Sequence, residues 1–438
     1  MKGNKNIKKI KDNLFNIINK IGSKATWFSK KPGIYFIRNR KLDLITILKF
    51  MFFMEGNTLN TEIMKYFNFN ENIPSSSALI EQRKKIHLDT FKYIFKKFTN
   101  IINVNKTYKG YRLLACDGSN LNYACDKKDK TTYIKHPISY GRGHNSLHLN
   151  VLYDLENNIY IDTDIQNKKE MNEAKSLNKM VSRLNIQDDV IIIADRGYES
   201  YNVFANIENN NYKYLVRAKD INSNGILSSL SLPNTEFDKV ITLTLTRKQN
   251  KRFKDTIHNY KFLPINCAFD FLNDENIFYP ITLRIVRFKL PNNNYECIIT
   301  NLDPNEFTPY DIKELYHLRW GIETSFRELK YNIGLINFHS KNKEFILQEI
   351  YIKLTLYNFC QSILSQISVK QKDTKYLYEI DISTAFLLCK KYLKDNNFNT
   401  KRLTNLILKH LHPIRLGRSD KRKLRTKGYI SFTYRIAA

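Results

Sequence analysis

The run Val190–Ala194, VIIIA, is five apolar residues followed at once by Asp195, and it constrains the fold more than any other segment. A strand with no polar break has no face to give to water, so it must be covered on both sides. Similar strand-like runs surround it: YRLLACD (111–117), HLNVLYD (148–154), IYIDTDI (159–165) and YKYLVRA (212–218). Helical patterns cover Lys168–Leu184 and the stretch after Glu199. The order β, β, β, α, β, α, β predicts a mixed sheet with helices against it, an α/β fold.

The flanking regions have a different texture. Between 219 and about 300, ITLTLT (241–246), YPITLRIVRF (279–288) and YECIIT (295–300) alternate like antiparallel strands. Residues 1 to about 105 read as helical, with a basic amphipathic start and a greasy helix near Leu42–Met54. After Pro74-Ser75-Ser76-Ser77, a helix-start signal, comes ALIEQRKKI. Its Glu81, Gln82, Arg83, Lys84 and Lys85 suit a DNA-recognition helix or a solvated bundle helix equally. Helices return near Glu344–Ser368, Ser383–Leu393 and Arg402–His410, before the basic tail 414–438.

The chemistry concentrates in DIKELYHLRWGIETSFRELKYNIGL, residues 311–335. On one continuous helix, Tyr316, Arg319, Glu323 and Lys330 share a stripe roughly 60° wide, with Arg327 inside it and Trp320 at its margin. Leu315, Leu318, Ile322, Phe326 and Leu329 form an apolar stripe roughly 100° away. A carboxylate among cations and aromatics suits a phosphate-handling site. Asp117 and Asp195 each end an apolar run and precede a glycine-containing exit, where a rigid backbone presents a carboxylate at a wet rim.

Charge agrees with a polyanionic partner. Lys plus Arg number 71 against 42 Asp plus Glu, a formal net charge of +29. Abundant Lys, Asn, Ile, Tyr and Phe also suits an AT-rich genome, so part of that excess reflects composition. No apolar run is long enough for a membrane span and the N-terminus lacks a signal-peptide core, which makes the cytoplasm the expected location. Six dispersed cysteines contain no CxxC pair and read as core or incidental thiols. His144 and His148 do not suggest a zinc site. Asp154, Asp162, Asp164, Glu170 and Glu173 could in principle replace Asp117, Asp195 or Glu323, but Asp162 and Asp164, alternating with apolar residues, read more simply as a solvent-facing strand edge.

Together these residues resemble a known family. Asp117, Asp195 and Glu323 look like the acidic triad of DDE-type transposases, which have a ribonuclease-H-like core. Tyr316, Arg319, Glu323 and Lys330 fit Y-(2)-R-(3)-E-(6)-K, similar to the signature of the cut-and-paste insertion-sequence-four (YREK) group. ACDGS, ADRGY and the basic tail are also similar to that group. The resemblance implies the following domains: a helical DNA-binding region (1–105), a core in two parts (106–218 and 303–340), a β-rich insertion (219–302) and a helical C-terminal region with the basic tail (341–438).

It further implies Mg²⁺-dependent cleavage at terminal inverted repeats and strand transfer into target DNA, with Asp117, Asp195 and Glu323 holding two ions and Mn²⁺ able to substitute. Tyr316, Arg319, Trp320, Lys330, Arg327 and Arg196 would contact DNA. A homodimer would synapse two ends of double-stranded DNA. Two alternatives stay open at this point: another ribonuclease-H-fold DNA nuclease, and a transposase-derived DNA-binding protein without catalysis.

Overall fold

The computed structural model describes residues 2–38, 40–137, 141, 143–249, 260–291, 293–371 and 375–415. They form two compact units. One, mainly helical, takes the chain up to Val104, then Leu121–Leu147, then the described chain from Ser325. The other, Asn105–Asn120 with His148–Thr324, is built on a sheet.

The chain opens with α1 (Lys2–Ser23), α2 (Leu44–Phe53), α3 (Leu59–Tyr66), α4 (Ser76–Lys84) and α5 (Leu88–Ile101). Capping sets several starts: the side chains of Asp43, Thr58 and Ser75 accept backbone N–H bonds three residues on. Next come β1 (Arg112–Tyr123), β2 (Tyr133–Ile134), β3 (His144–Asp154), β4 (Ile159–Asn167), α6 (Glu173–Ser182), β5 (Val190–Ala194), α7 (Tyr201–Asn209) and β6 (Lys213–Ala218). The β-rich stretch follows as β7 (Phe237–Thr246), β8 (Tyr260–Phe262), β9 (Phe278–Lys289) and β10 (Tyr295–Thr300). Then come α8 (Pro309–Leu318), α9 (Trp320–Arg327), a π-helical turn over Glu328–Asn332 and α10 (Lys343–Leu364). β11 (Leu377–Ile380), α11 (Ile382–Lys394), α12 (Thr400–Lys409) and β12 (Leu411–Ile414) close the described chain, and the tail 416–438 lies outside the described residues.

The sheet is mixed and runs β3-β1-β5-β6-β10-β9-β7-β8, with β4 paired to β3. β5 lies parallel between β1 and β6, and all five of its residues are buried. β10 joins β6 antiparallel, so the β-rich stretch continues the same sheet and forms no separate one. Period-two alternation divides the core. Leu114, Cys116, Ile192, Ala194, Tyr214 and Val216 pack with Leu177, Met180 and Val181 of α6 and Val203, Phe204 and Ile207 of α7. Leu113, Ile191, Ile193, Leu215 and Ile298 face the other way, against Ile312, Leu315 and Tyr316 of α8.

The helical unit is organised on α10, which is buried over nearly its whole length. Its charged groups are matched. Arg83 of α4 donates to Glu349 at 3.0 Å, to Gln348 at 2.7 Å and to the Phe345 carbonyl at 2.7 Å. Lys353 donates to the Met54 carbonyl at 2.8 Å.

Four expectations change. β1 does not stop at Asp117 but runs on to Tyr123, because Gly118 serves a close approach instead of a turn. The 311–335 segment is not one helix. It tightens at Arg319, where Arg319 N–H bonds the Tyr316 carbonyl and Ile322 N–H the Arg319 carbonyl, and it widens in the π turn. A single helical wheel therefore does not carry through to Lys330. Asp162 and Asp164 are not a wet edge: Asp162 is buried against Arg183 at 2.6 Å, and Asp164 accepts from Ser176. Arg83 is buried too, so the charge of α4 is partly structural.

Candidate active site

The parallel ladder of β1 and β5 ends at the pair Cys116↔Ala194, so the next residues along the two strands are Asp117 and Asp195. Asp195 lies at the carboxyl end of β5, where α/β sheets open to ligands, and Asp117 lies within β1 just past its last residue paired with β5. By alternation Asp117 follows Leu113 and Ala115 onto the face covered by α8. Gly118 N–H donates to Asp117 Oδ1 at 2.7 Å. Asp195 caps a short 3₁₀ turn, accepting from Gly197 N–H at 3.0 Å.

α8 supplies the opposite wall. Its start is fixed by Pro309 in the first turn and a capping box between Thr308 and Asp311. Asp311 also accepts from the Tyr108 hydroxyl at 3.0 Å and pairs with Lys109 at 3.1 Å. With Ile312 and Leu315 anchored in the core, Tyr316 and Arg319 are buried and Glu323 follows one turn on. Arg319 Nη2 donates to Glu323 at 3.0 Å. Its guanidinium carbon lies 5.5 Å from the Tyr316 ring centroid and 5.2 Å from that of Trp320. Trp320 itself is half exposed and is not a core residue.

Electrostatics tie these groups together. Burial pushes the Asp117 carboxyl up to about 6; Glu173 and Asp195 push the same way, while Gly118 N–H and Arg319 oppose them. Burial works against the charge of Arg319, but Tyr316, Glu323 and Asp195 outweigh it and raise the guanidinium above its ordinary value. Arg319 is thus the cation shared by Asp117, Asp195 and Glu323. Two donors there lack a partner: Arg319 Nε and the Tyr316 hydroxyl, both buried. An unsatisfied buried donor costs roughly 1–3 kcal/mol, so such groups are maintained for a ligand or a reaction.

The remaining candidates are distributed differently. Arg196 is exposed on the turn after Asp195. Arg327, exposed at the end of α9, and Lys330, half-buried in the π turn with its ammonium pKa lowered by burial, belong to the helical unit. Two residues that sequence reasoning did not place at the site, His148 and Asn120, stand there with Glu173, which the sequence offered only as an in-principle substitute for one of the three acids. His148 Nε2 meets Glu173 Oε1 at 2.8 Å, and its Nδ1 meets Asn120 Oδ1 at 2.8 Å. The glycine directly after Asp117 was the available signal, because Gly118 makes room for His148 and Glu173.

Among the described residues no three His, Cys, Asp or Glu side chains stand close enough together to hold a metal ion as they are. The donor chemistry nevertheless fits a hard divalent cation. The donors are carboxylate oxygens, and Asp117 is held at a cost beside like charges that a cation would relieve.

With this geometry in hand, comparison with known proteins gives the class. Residues 108–359, more than half the chain, match the family described as "Transposase DDE domain". The chain belongs to that family: its mixed sheet with flanking helices is the ribonuclease-H-like core of a DDE transposase, a DNA-processing enzyme. No curated protein matches the sequence. Among solved structures, a piggyBac transposase synaptic complex with hairpin DNA is similar at 11% identity and a TM-score of 0.49, covering 91% of this chain and 81% of that one. Among the described residues no helix is long and apolar enough to cross a membrane.

Proposed function

We propose that this chain is a cut-and-paste transposase of the insertion-sequence-four (YREK) group, cleaving DNA at the terminal inverted repeats of its element and joining the ends to target DNA. The observation that carries this reading is the group Asp117, Asp195, Glu323 and Arg319, in which a half-buried carboxyl is pushed up to about 6 beside a cation with an unpartnered donor. Asp117, Asp195 and Glu323 would hold Mg²⁺, or Mn²⁺ in its place. When bound, such ions stabilise charge on phosphoryl oxygens and lower the pKa of water or of a 3′ hydroxyl.

The chain's own residues have separable tasks. Asp117 stands on β1 and Asp195 directly after the neighbouring β5, so paired rigid strands carry both. Glu323 is oriented by Arg319, and the free Nε–H of Arg319 and the Tyr316 hydroxyl are donors suited to a DNA phosphate. Trp320, half exposed beside Arg319, offers a stacking face to a distorted base. Arg196, Arg327 and Lys330 add phosphate contacts, and the charge of +29 draws the duplex in. Two ends must be brought together, so the working form is a homodimer on DNA.

Purified protein incubated with Mg²⁺ and a duplex carrying the element ends tests this. Strand cleavage appears with wild type and is lost in D117N, D195N and E323Q, while gel-shift binding of the ends persists. Retained cutting by all three variants removes the assignment.

A further inference from the structure

Gly118 and Asn120 lie on the opposite face of β1 from Asp117, by the alternation of the strand. On that face stands a polar arrangement that the phosphoryl-transfer reading above does not use. His148, with a side chain 5% exposed, is held from both nitrogens, by Asn120 on one side and Glu173 on the other. Glu173 begins α6, whose start is fixed by Asn172 accepting from Lys175 N–H at 2.9 Å.

The glycines define where its carboxylate lies. A methyl group at Gly118 would collide with His148 Nε2 and come 2.8 Å from Glu173 Oε1. A methyl group at Gly197 would come 3.5 Å from Glu173 Oε2. One oxygen therefore packs on the residue after the first aspartate, and the other on the turn that binds the second. His148 is the hydrogen-bond partner that aims it.

We propose that Glu173 is a positioning residue of the active site, a fourth carboxylate wedged behind Asp117 and Asp195 and aimed by His148, which sets their spacing and deepens the negative potential for a divalent cation. This rests on the reading of Asp117, Asp195 and Glu323 as the cation-binding set. A carboxylate behind the direct ligands acts through them, and removal of such partners typically lowers metal affinity by about 10–100-fold. Glu173 and His148 reach their places because Gly118 carries no side chain, which gives that glycine a packing reason.

Mn²⁺ binding to the full chain without DNA, followed by electron paramagnetic resonance with thermal melts of the same samples, separates the possibilities. E173Q keeps the shape and the acceptor for His148 but loses the charge. Its Mn²⁺ affinity falls by about 10-fold or more with an unchanged melting temperature. H148L keeps the charge of Glu173 but removes its hydrogen-bond partner, and its affinity falls by a smaller factor. D117N loses binding. Wild-type affinity in E173Q beside lost binding in D117N overturns the role of Glu173. Unchanged affinity in H148L overturns its aiming by His148. Wild-type affinity in D117N overturns the underlying reading of the site instead.

Discussion

Two carboxyls, one in each unit, one buried and one half-buried, are treated in opposite ways. Glu349 on α10 is fully buried, and burial alone would raise its pKa; Arg83, followed by His339, outweighs that and holds it down at about 2. Its oxygens accept from Arg83 at 3.0 Å and from the His339 backbone N–H at 3.1 Å. Asp117 on β1 is pushed up to about 6 by burial, with Glu173 and Asp195 adding to the effect. A buried charge with matched partners organises a fold. A buried charge placed among like charges is tolerated only where chemistry requires it.

The largest expected effects lie on the catalytic side of this contrast. D195N and E323Q lower strand cleavage by about 1000-fold or more, roughly 4 kcal/mol of transition-state stabilisation, read as initial rates on end-containing duplex. On the structural side, R83M leaves Glu349 buried without its cation and costs about 3–5 kcal/mol of stability, measured by urea unfolding. If R83M unfolded at the wild-type urea midpoint, the two carboxyls would not differ in kind.

The pH dependence of stability sharpens the comparison, because the signs are opposite. Glu349 titrates near 2 in the fold against 4.5 for an ordinary glutamate, so its stabilisation is complete above about 4.5 and is lost as pH falls towards 2. Asp117 titrates near 6 against 3.8, so its destabilisation is absent below about 4 and complete above 6. Without divalent cations, E349Q is therefore less stable than wild type at pH 7, and the gap closes between about 4.5 and 2. D117N is more stable at pH 7 by roughly 2–3 kcal/mol, from about 1.4 kcal/mol per pH unit, and that gap closes between about 6 and 4. Unfolding curves at a series of pH values read both. Smallest is W320F, which keeps an aromatic face beside Arg319 and changes end binding less than about threefold in a salt-matched gel shift.

How far the sequence could be read follows from range. VIIIA announced a doubly covered strand because burial on both faces leaves a local mark, and Arg319 and Glu323 met because they are four residues apart on one helical segment. Gly118 misled, since a glycine after an aspartate reads locally as a turn, whereas here it clears space for side chains of β3 and α6. Glu173 and His148 meet across 25 residues of chain, and Asp162 finds Arg183 21 residues on; no local pattern encodes such pairs. The π turn was hidden for a related reason: one added residue per turn changes phase without changing composition.

Asp117 is kept for chemistry at the expense of stability. The direct test measures both quantities on one preparation of D117N: unfolding free energy at pH 7 without divalent cations, and cleavage of end-containing duplex with Mg²⁺. The predicted result is a protein at least as stable as wild type whose cleavage is lost. A variant that still cuts, or one that unfolds more easily than wild type, contradicts it.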